Sequence, residues 1–259
     1  MKHLRYITCH PSRIGLFHKD HPLVVFFFFI LFAALAFGGL ALRDFNTSYF
    51  GSGDIDFVVS TVVRDETNLN IEYNNHTLTG DTALLTNKPL EVRVLASDKK
   101  VDNNGLIIYL NENTAKVYYN YIQIGNIKYT DIQNDYAFTF AGVKENNRAH
   151  MYNFRGFIDY IFLASNLGYA ANTYISDILN MLLFYFIFAI VAVLIYSFFT
   201  NSQIAMGVRS KLIIYDSLIY FVIMFFAICL NLVYLQYVAF FVPIVFCRST
   251  FLHIIKVRK

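Results

Sequence analysis

Charged side chains are scarce in this sequence of 259 residues. Asp, Glu, Lys and Arg make up 15% of the chain and hydrophobic residues 56%, whereas about a quarter of the residues in soluble domains are charged. The deficit argues against an ordinary soluble protein and indicates that much of the chain faces lipid. The net charge is only +3, and the sequence lacks clustered Lys and Arg with interleaved aromatics, so we expect no nucleic-acid partner.

Cysteine is also scarce, with three residues in the whole chain. Cys9 lies near the N-terminus, and Cys229 and Cys247 lie in apolar runs towards the C-terminus. The central part of the chain therefore has no cysteine with which to form a disulfide. We expect it to be stabilised by packing alone.

Recognisable catalytic motifs are missing as well. The sequence contains no nucleophile elbow, metalloprotease His-Glu pair, phosphate loop or dinucleotide-binding glycine pattern. The central part has only His76 and His150 as histidines, with no evident acid–His–Ser set. We therefore predict a protein that is not an enzyme, with no catalytic residues and no cofactor.

Histidine is concentrated instead near the N-terminus, together with one cysteine. The residues are His3, Cys9, His10, His18 and His21. Their spacings match no compact zinc-binding pattern. The stretch 1–21 is better interpreted as a solvated basic leader, partly lying on anionic lipid, than as a metal site.

Three long apolar runs are present. The first has 21 uncharged residues before Arg43, and the second has 31 between Asp177 and Arg209. The third has 44 residues between Lys211 and Lys256, interrupted by Asp216 and Arg248. As one helix it would be about 66 Å long, twice the hydrocarbon core of about 30 Å. Two helices with a turn at "LNLVYLQY", where Asn231 and Gln236 interrupt the apolar pattern, fit better. The sequence thus predicts four transmembrane helices.

The charges between these runs predict the orientation. The leader, the loop with Arg209 and Lys211, and the C-terminal end are basic, as is typical of cytoplasmic segments. Four helices place all three on one side and the segment 45–174, with 14 acids and ten bases, on the other. We expect a multi-pass protein of the cell membrane with both termini in the cytoplasm.

The first run has two readings, a cleaved signal peptide or a retained anchor. Signal peptides have apolar cores of about 7–15 residues, shorter than the 21 here, which favours an anchor. Ala34 and Gly38, with Ala41 one turn on, would then form a face of small residues that lets another helix approach closely. That helix would be the C-terminal hairpin or one from a partner.

The central segment, 45–174, has short β-branched and Tyr-rich runs instead of long apolar ones. Runs such as "DFVVSTVV", "LNIEY", "EVRVLA", "GLIIYLN", "AKVYYNYIQIG", "IKYTDI" and "YAFTFAG" predict six or seven strands of a mainly antiparallel sheet. The stretch "MYNFRGFIDYIFLASNLG" follows, with one apolar helical face: Phe154, Phe157, Ile158, Ile161 and Phe162. This helix would cover the sheet or lie on the membrane surface, and Gly168 would end it.

Asp216 is an acid within an apolar run, a common mark of function in membranes. Since it follows Lys211 by only about 8 Å of helix, we expect it to reach the headgroups and to pair with Arg248 across the hairpin. An ion-coupling or proton-coupling role is the alternative.

The predicted fold class is an α-helical integral membrane protein with four transmembrane helices and an inserted extracytoplasmic β-rich (α+β) domain. The predicted segments are a leader (1–21), helix 1 (22–43), the extracytoplasmic domain (44–174), helix 2 (175–200), a cytoplasmic loop (201–211), a helical hairpin (212–255) and a tail (256–259).

Three stretches are similar to a family of uncharacterised bacterial polytopic membrane proteins, some of them labelled maltodextrin-utilization proteins. They are "NLNIEYNNHTLTGD", "GLIIYLNENTAKVYYNYIQIGNIKYTDI" and "SKLIIYDSLIYFVIMFF". Members of the family have one N-terminal helix, an exported domain and C-terminal helices. The resemblance implies association with a carbohydrate ABC importer and its permease subunits.

We therefore expect a non-enzymatic accessory or sensing membrane subunit, whose partners are the lipid bilayer and other membrane subunits. Two alternatives stay open at this point. One is a membrane-bound immunity or toxin-resistance protein, and the other is an assembly factor for envelope or secretion machinery.

Overall fold

The computed structural model describes residues 2–65, 69–96, 105–199 and 204–257. The chain divides into a helical unit, Met1–Asn46 with Tyr174–Lys259, and a β-rich unit, Thr47–Thr173. In the described residues, four segments are long and apolar enough to cross a membrane: Pro22–Phe45, Arg148–Leu194, Met206–Cys229 and Val233–Leu252. The predicted number of such helices is confirmed.

Helices make up most of the described chain. They are α1 (Lys2–Cys9), a 3-10 helix (Pro11–Lys19), α2 (Pro22–Phe45), α3 (Ser52–Arg64), α4 (Phe140–Lys144), α5 (Arg148–Phe199), α6 (Met206–Ser217), α7 (Ile219–Cys229) and α8 (Val233–Val257). A short 3-10 turn covers Tyr129–Asp131. The sequence 201–211, predicted as a loop, therefore contains the start of α6.

The strands belong to two sheets. They are β1 (Ile71–Asn74), β2 (Thr77–Gly80), β3 (Ala83–Asn87), β4 (Leu90–Val94), β5 (Leu106–Leu110), β6 (Thr114–Tyr119), β7 (Ile122–Lys128) and β8 (Phe138–Thr139). One sheet has the order β2-β1-β8, and the other has the order β3-β4-β5-β6-β7. Among the described strands, all pairs are antiparallel except β4 with β5, which is parallel. The expected single sheet is thus two sheets.

The turn of the C-terminal hairpin lies where it was predicted. α7 ends at Cys229 and α8 begins at Val233, and Asn231 between them has a φ of 51°. Asparagine tolerates this left-handed conformation better than most residues. Gln236, in contrast, lies inside α8 and takes no part in the turn.

The packing face of α2 differs from the predicted one. Ala34 and Gly38 are exposed, while Ala33, Ala36 and Gly39 are buried. A Cβ on Gly39 would lie 3.0 Å from Cδ2 of Phe225, so the absence of a side chain lets α7 approach closely. The buried stripe is displaced by about one position, because it must include the large side chains that fill the bundle core: Val25, Phe32 and Leu40.

The leader is not a solvated segment, contrary to the expectation from its charges. Ile7, Ile14 and Phe17 are buried in the core of the helical unit. Tyr215 donates a hydrogen bond of 2.7 Å to Oδ2 of Asp20, and Lys211 donates to the carbonyl of the same residue at 2.7 Å. Apolar side chains at helical spacing therefore attach the basic leader to α6.

The stretch "DFVVSTVV" is helical, so its predicted strand is wrong. Its β-branched residues favour a strand locally, but Ile55, Val58, Val59 and Val62 recur with helical spacing and pack in the core of the β-rich unit. Asp54 caps the helix, since its carboxylate accepts a 2.8 Å hydrogen bond from the Gly51 amide. Burial of one helical face outweighs the strand propensity.

Gly168 does not end a helix, because α5 continues to Phe199. A Cβ at Gly168 would collide with the carbonyl oxygen of Ile124, and one at Gly125 would collide with Ser165. The two glycines therefore allow α5 and β7 to pack backbone against backbone. The predicted apolar face of α5 covers the core of the β-rich unit, which settles the choice between sheet and membrane surface: Phe154, Phe157, Ile158, Ile161 and Phe162 are buried there.

Candidate functional site

The β-rich unit contains an open groove of about 850 Å³. The start of α3, the segment before β8 and the first turns of α5 form its walls. It is lined by Phe50, Gly51, Ser52, Ile55, Asn134, Asp135, Tyr136, Tyr152, Asn153, Arg155, Gly156 and Asp159. Its volume lies within the range of small-molecule sites, about 300–1,000 Å³.

One face of α5 supplies a third of this lining. Tyr152, Arg155, Gly156 and Asp159 have the spacing i, i+3, i+4, i+7 and share one side of the helix. The opposite side carries the buried aromatic residues of the core. α5 is thus held by its apolar face and presents its polar face to the groove.

A tyrosine ring packs against this polar face. Gly156 has no side chain, and a Cβ there would collide with the ring of Tyr136. The hydroxyl of Tyr136 accepts a 2.9 Å hydrogen bond from Nδ2 of Asn134. Nδ2 of Asn153 donates to the carbonyl of Ala137 at 2.7 Å, which fixes the segment on α5. The ring of Tyr136 is therefore held in one position before any ligand enters.

The charges of the groove are mixed. Arg155 forms an ion pair with Asp56 of α3, and Asp135 and Asp159 add two carboxylates. Burial and, to a smaller extent, the negative charge of Asp135 together raise the pKa of Tyr73 to about 12.

These residue types determine what the groove can bind. Amides, carboxylates, a guanidinium and phenols can each accept or donate hydrogen bonds in a plane, and Tyr152, with 76% of its surface exposed, offers a ring face. A polyhydroxylated solute has hydroxyls around its edge and apolar C–H faces, so it matches both features. Neither cysteine nor histidine is among the described residues that line the groove.

The two histidines of the β-rich unit lie elsewhere. Nδ1 of His150 accepts a 3.1 Å hydrogen bond from the Thr139 amide, and its ring packs against Gly142. His76 lies in the turn between β1 and β2 with a φ of 59°. The hydrogen bond and the packing give His150 a structural position.

The N-terminal histidines are also held individually. Nε2 of His3 contacts Oδ2 of Asp20 at 2.9 Å, and its ring stacks on Phe17 with centroids 4.0 Å apart. His21 caps α2, since its Nδ1 accepts from the Leu23 amide at 3.3 Å. Among the described residues, no group of three or more His, Cys, Asp or Glu side chains is placed to hold a metal ion.

Asp216 is fully buried rather than at a membrane surface. Its Oδ1 accepts a 2.7 Å hydrogen bond from Thr250, while Arg248, the predicted partner, is exposed. The prediction failed because α8 covers this side of α6 with Cys247 and Thr250, both buried. Helical distance from Lys211 alone does not reveal such a neighbour.

The groove itself was not predicted from the sequence, because its walls come from three separated stretches. A weak signal was present in α5, where polar residues recur opposite the apolar face. Comparison with known proteins adds nothing to this picture: no family model, curated protein or solved structure matches the chain.

Proposed function

We propose that this protein is a non-enzymatic accessory or sensing subunit of the bacterial cell membrane, which binds a polyhydroxylated solute in the groove of its β-rich unit. The groove is the observation that carries the proposal. It combines preset aromatic and planar polar groups, whereas the chain shows no catalytic motif. The association with a carbohydrate importer follows from the sequence resemblance described above.

The location of the groove follows from topology. With the basic leader, the α6 region and the C-terminus in the cytoplasm, the positive-inside rule assigns residues 44–174 to the outside. A solute-binding groove there would sample the medium beyond the membrane. The four apolar helices would anchor the protein and contact the permease.

Solute binding is tested by isothermal titration calorimetry, in which maltotriose is added to the full-length protein in nanodiscs. We expect saturable binding that Tyr152→Ala weakens by tenfold or more, because it removes the exposed ring. Asp159→Asn should also weaken binding, since it removes a charged acceptor. Tyr121→Ala is the control, because Tyr121 is exposed but lies outside the groove.

Absence of saturable binding to maltotriose and to a panel of other oligosaccharides and polyols would contradict the proposal. Equal affinity of the Tyr152→Ala variant and the unaltered protein would place any binding elsewhere.

Partner association is tested by purification in mild detergent and mass spectrometry. Importer permease subunits in stoichiometric amounts would support the proposal. A stoichiometric complex with a toxin or with secretion components would favour one of the two alternative functions instead.

A further inference from the structure

The helical unit contains a second cavity, of about 460 Å³, between α2, α5, α7 and α8. One part of its wall is polar, with Arg43, Asp177, Asn180 and Gln236, and the rest is apolar, with Leu40, Met181 and Met224 among its residues. A cavity that is polar at one end and apolar at the other fits an amphipathic ligand.

The polar end contains more negative than positive groups. Nε of Arg43 donates a 2.7 Å hydrogen bond to Oδ1 of Asp44, and its Nη2 forms an ion pair with Asp177. Asp44 is fully buried, while Arg43 and Asp177 keep 37% and 34% of their side-chain surface exposed. A ligand can therefore reach one guanidinium and one carboxylate, in a cluster that holds two carboxylates.

An apolar cavity lies beside this one. A neighbouring cavity of about 200 Å³ shares Phe184 and Phe240 with it and is lined otherwise by aliphatic and aromatic side chains, including Val191 and Ile244. From Asp177 to Val191, α5 rises about 21 Å. Half of a bilayer with its headgroups measures about 20–22 Å. The two cavities together thus have the length and polarity of one lipid molecule.

We propose that the surface formed by these two adjoining cavities binds one zwitterionic phospholipid with a primary ammonium headgroup, of the phosphatidylethanolamine class. The ammonium donates to Asp177, a phosphate oxygen accepts from Arg43, and one acyl chain lies along Phe184 towards Val191. An anionic lipid would add negative charge to a cluster already rich in carboxylates. A choline headgroup has no N–H to donate.

The proposal rests on the membrane insertion of the helical unit and is independent of solute binding in the groove. Delipidated full-length protein is returned to nanodiscs containing equal parts of dioleoyl phosphatidylethanolamine, phosphatidylcholine and phosphatidylglycerol. Retained lipid is then counted by native mass spectrometry. We expect one phosphatidylethanolamine, enriched tenfold or more over the other two.

Two variants locate the site. Asp177→Asn should reduce the preference for phosphatidylethanolamine about tenfold, because a charge-assisted hydrogen bond becomes a neutral one. Val191→Trp should abolish retention by filling the smaller, apolar cavity, which Val191 lines. Ile190→Trp is its matched control, since Ile190 is 60% exposed and lines neither cavity.

Equal retention of the three lipids by the unaltered protein would overturn the proposal, as would full retention by Val191→Trp. Extraction of the protein from native membranes by sodium carbonate would overturn membrane insertion itself, and with it both proposals. If the unaltered protein binds maltotriose but does not select among the three lipids, only the lipid-binding proposal is overturned.

Discussion

At the scale of single residues, two features bear on stability: a glycine without a side chain, and two buried hydroxyls for which the described residues offer no hydrogen-bond partner. Gly168 lacks the Cβ that would collide with Ile124. Tyr73 and Tyr129 have buried hydroxyls without a hydrogen-bond partner among the described residues, and their rings meet edge to face at 5.2 Å. The first feature makes close packing possible, and we expect the second to lower the stability of the core.

Gly168→Ala should lower the stability of the protein. Alanine gains about 1 kcal/mol of helix propensity over glycine, but overpacking against a backbone carbonyl costs about 1–3 kcal/mol or more. Thermal unfolding in detergent, followed by circular dichroism, measures the balance. Gly53→Ala, also in a helix but with open space around it, should be neutral or stabilising. A stabilised Gly168→Ala would show that α5 and β7 are not in such close contact.

Tyr73→Phe should leave stability unchanged or raise it at neutral pH, because an unpaired buried hydroxyl costs about 1–3 kcal/mol. Tyr160→Phe should instead destabilise by about 1 kcal/mol, since its hydroxyl donates a 2.8 Å hydrogen bond to the backbone carbonyl oxygen of Asp131. Thermal unfolding of the two variants at pH 7 makes the comparison. A larger loss for Tyr73→Phe would reveal a partner for its hydroxyl.

The buried hydroxyl of Tyr73 also predicts that the stability of the protein depends on pH. Burial raises the pKa of Tyr73 from 10.0 to about 12, so the folded protein keeps a proton that the unfolded chain releases in this window. The contribution of the protonated Tyr73 side chain to stability is complete below pH 10 and is lost as the pH rises towards 12. Tyr73→Phe should therefore lose less stability than the unaltered protein between pH 10 and 12. Parallel loss in both would contradict the assignment.

At the scale of elements, packing decides where local propensity is ambiguous. In α3, β-branched residues suit a strand, but the periodic burial of Val58, Val59 and Val62 makes the segment a helix. In the leader, basic charges suggest solvent, but Phe17 and its apolar neighbours bind it to the bundle.

Tyr215→Phe should loosen the leader. It removes a 2.7 Å hydrogen bond to the Asp20 carboxylate, and hydrogen bonds to charged groups contribute about 1.5–3 kcal/mol. Trypsin should then cleave after Arg13 or Lys19 about tenfold faster or more. Tyr234→Phe is the control, since Tyr234 is 84% exposed. An unchanged cleavage rate would show that the leader is held by its apolar side chains alone.

At the scale of the whole molecule, charge distribution predicts orientation. The four candidate spans among the described residues would give an even number of crossings, so residues 2 and 257 would both lie on the side of the basic segments. The acidic excess of residues 45–174 lies on the other side in this arrangement.

Cysteine labelling in intact cells tests this orientation. In a variant with Cys229→Ala, a membrane-impermeant maleimide should label Leu84→Cys, whose position is exposed in β3. The exposed native Cys9 should be protected until the cells are opened, as should a cysteine added at the C-terminus. A labelled C-terminus in intact cells would refute the four-helix topology.

The sequence by itself determined the features that depend on local composition and period. These are the four apolar helices, the turn at Asn231, the β-rich centre and the apolar face of α5 from Phe154 to Phe162. Each can be predicted from the sequence because a run of about 20 apolar residues, or a regular periodic pattern, indicates which side chains of that same segment are buried.

Only the tertiary structure decided which residues meet. It made α3 a helix, carried α5 past Gly168, paired Asp216 with Thr250 and assembled the groove from residues 50–55, 134–136 and 152–159. These outcomes depend on contacts between distant parts of the chain. The sequence pattern of one segment does not show which distant segment it contacts.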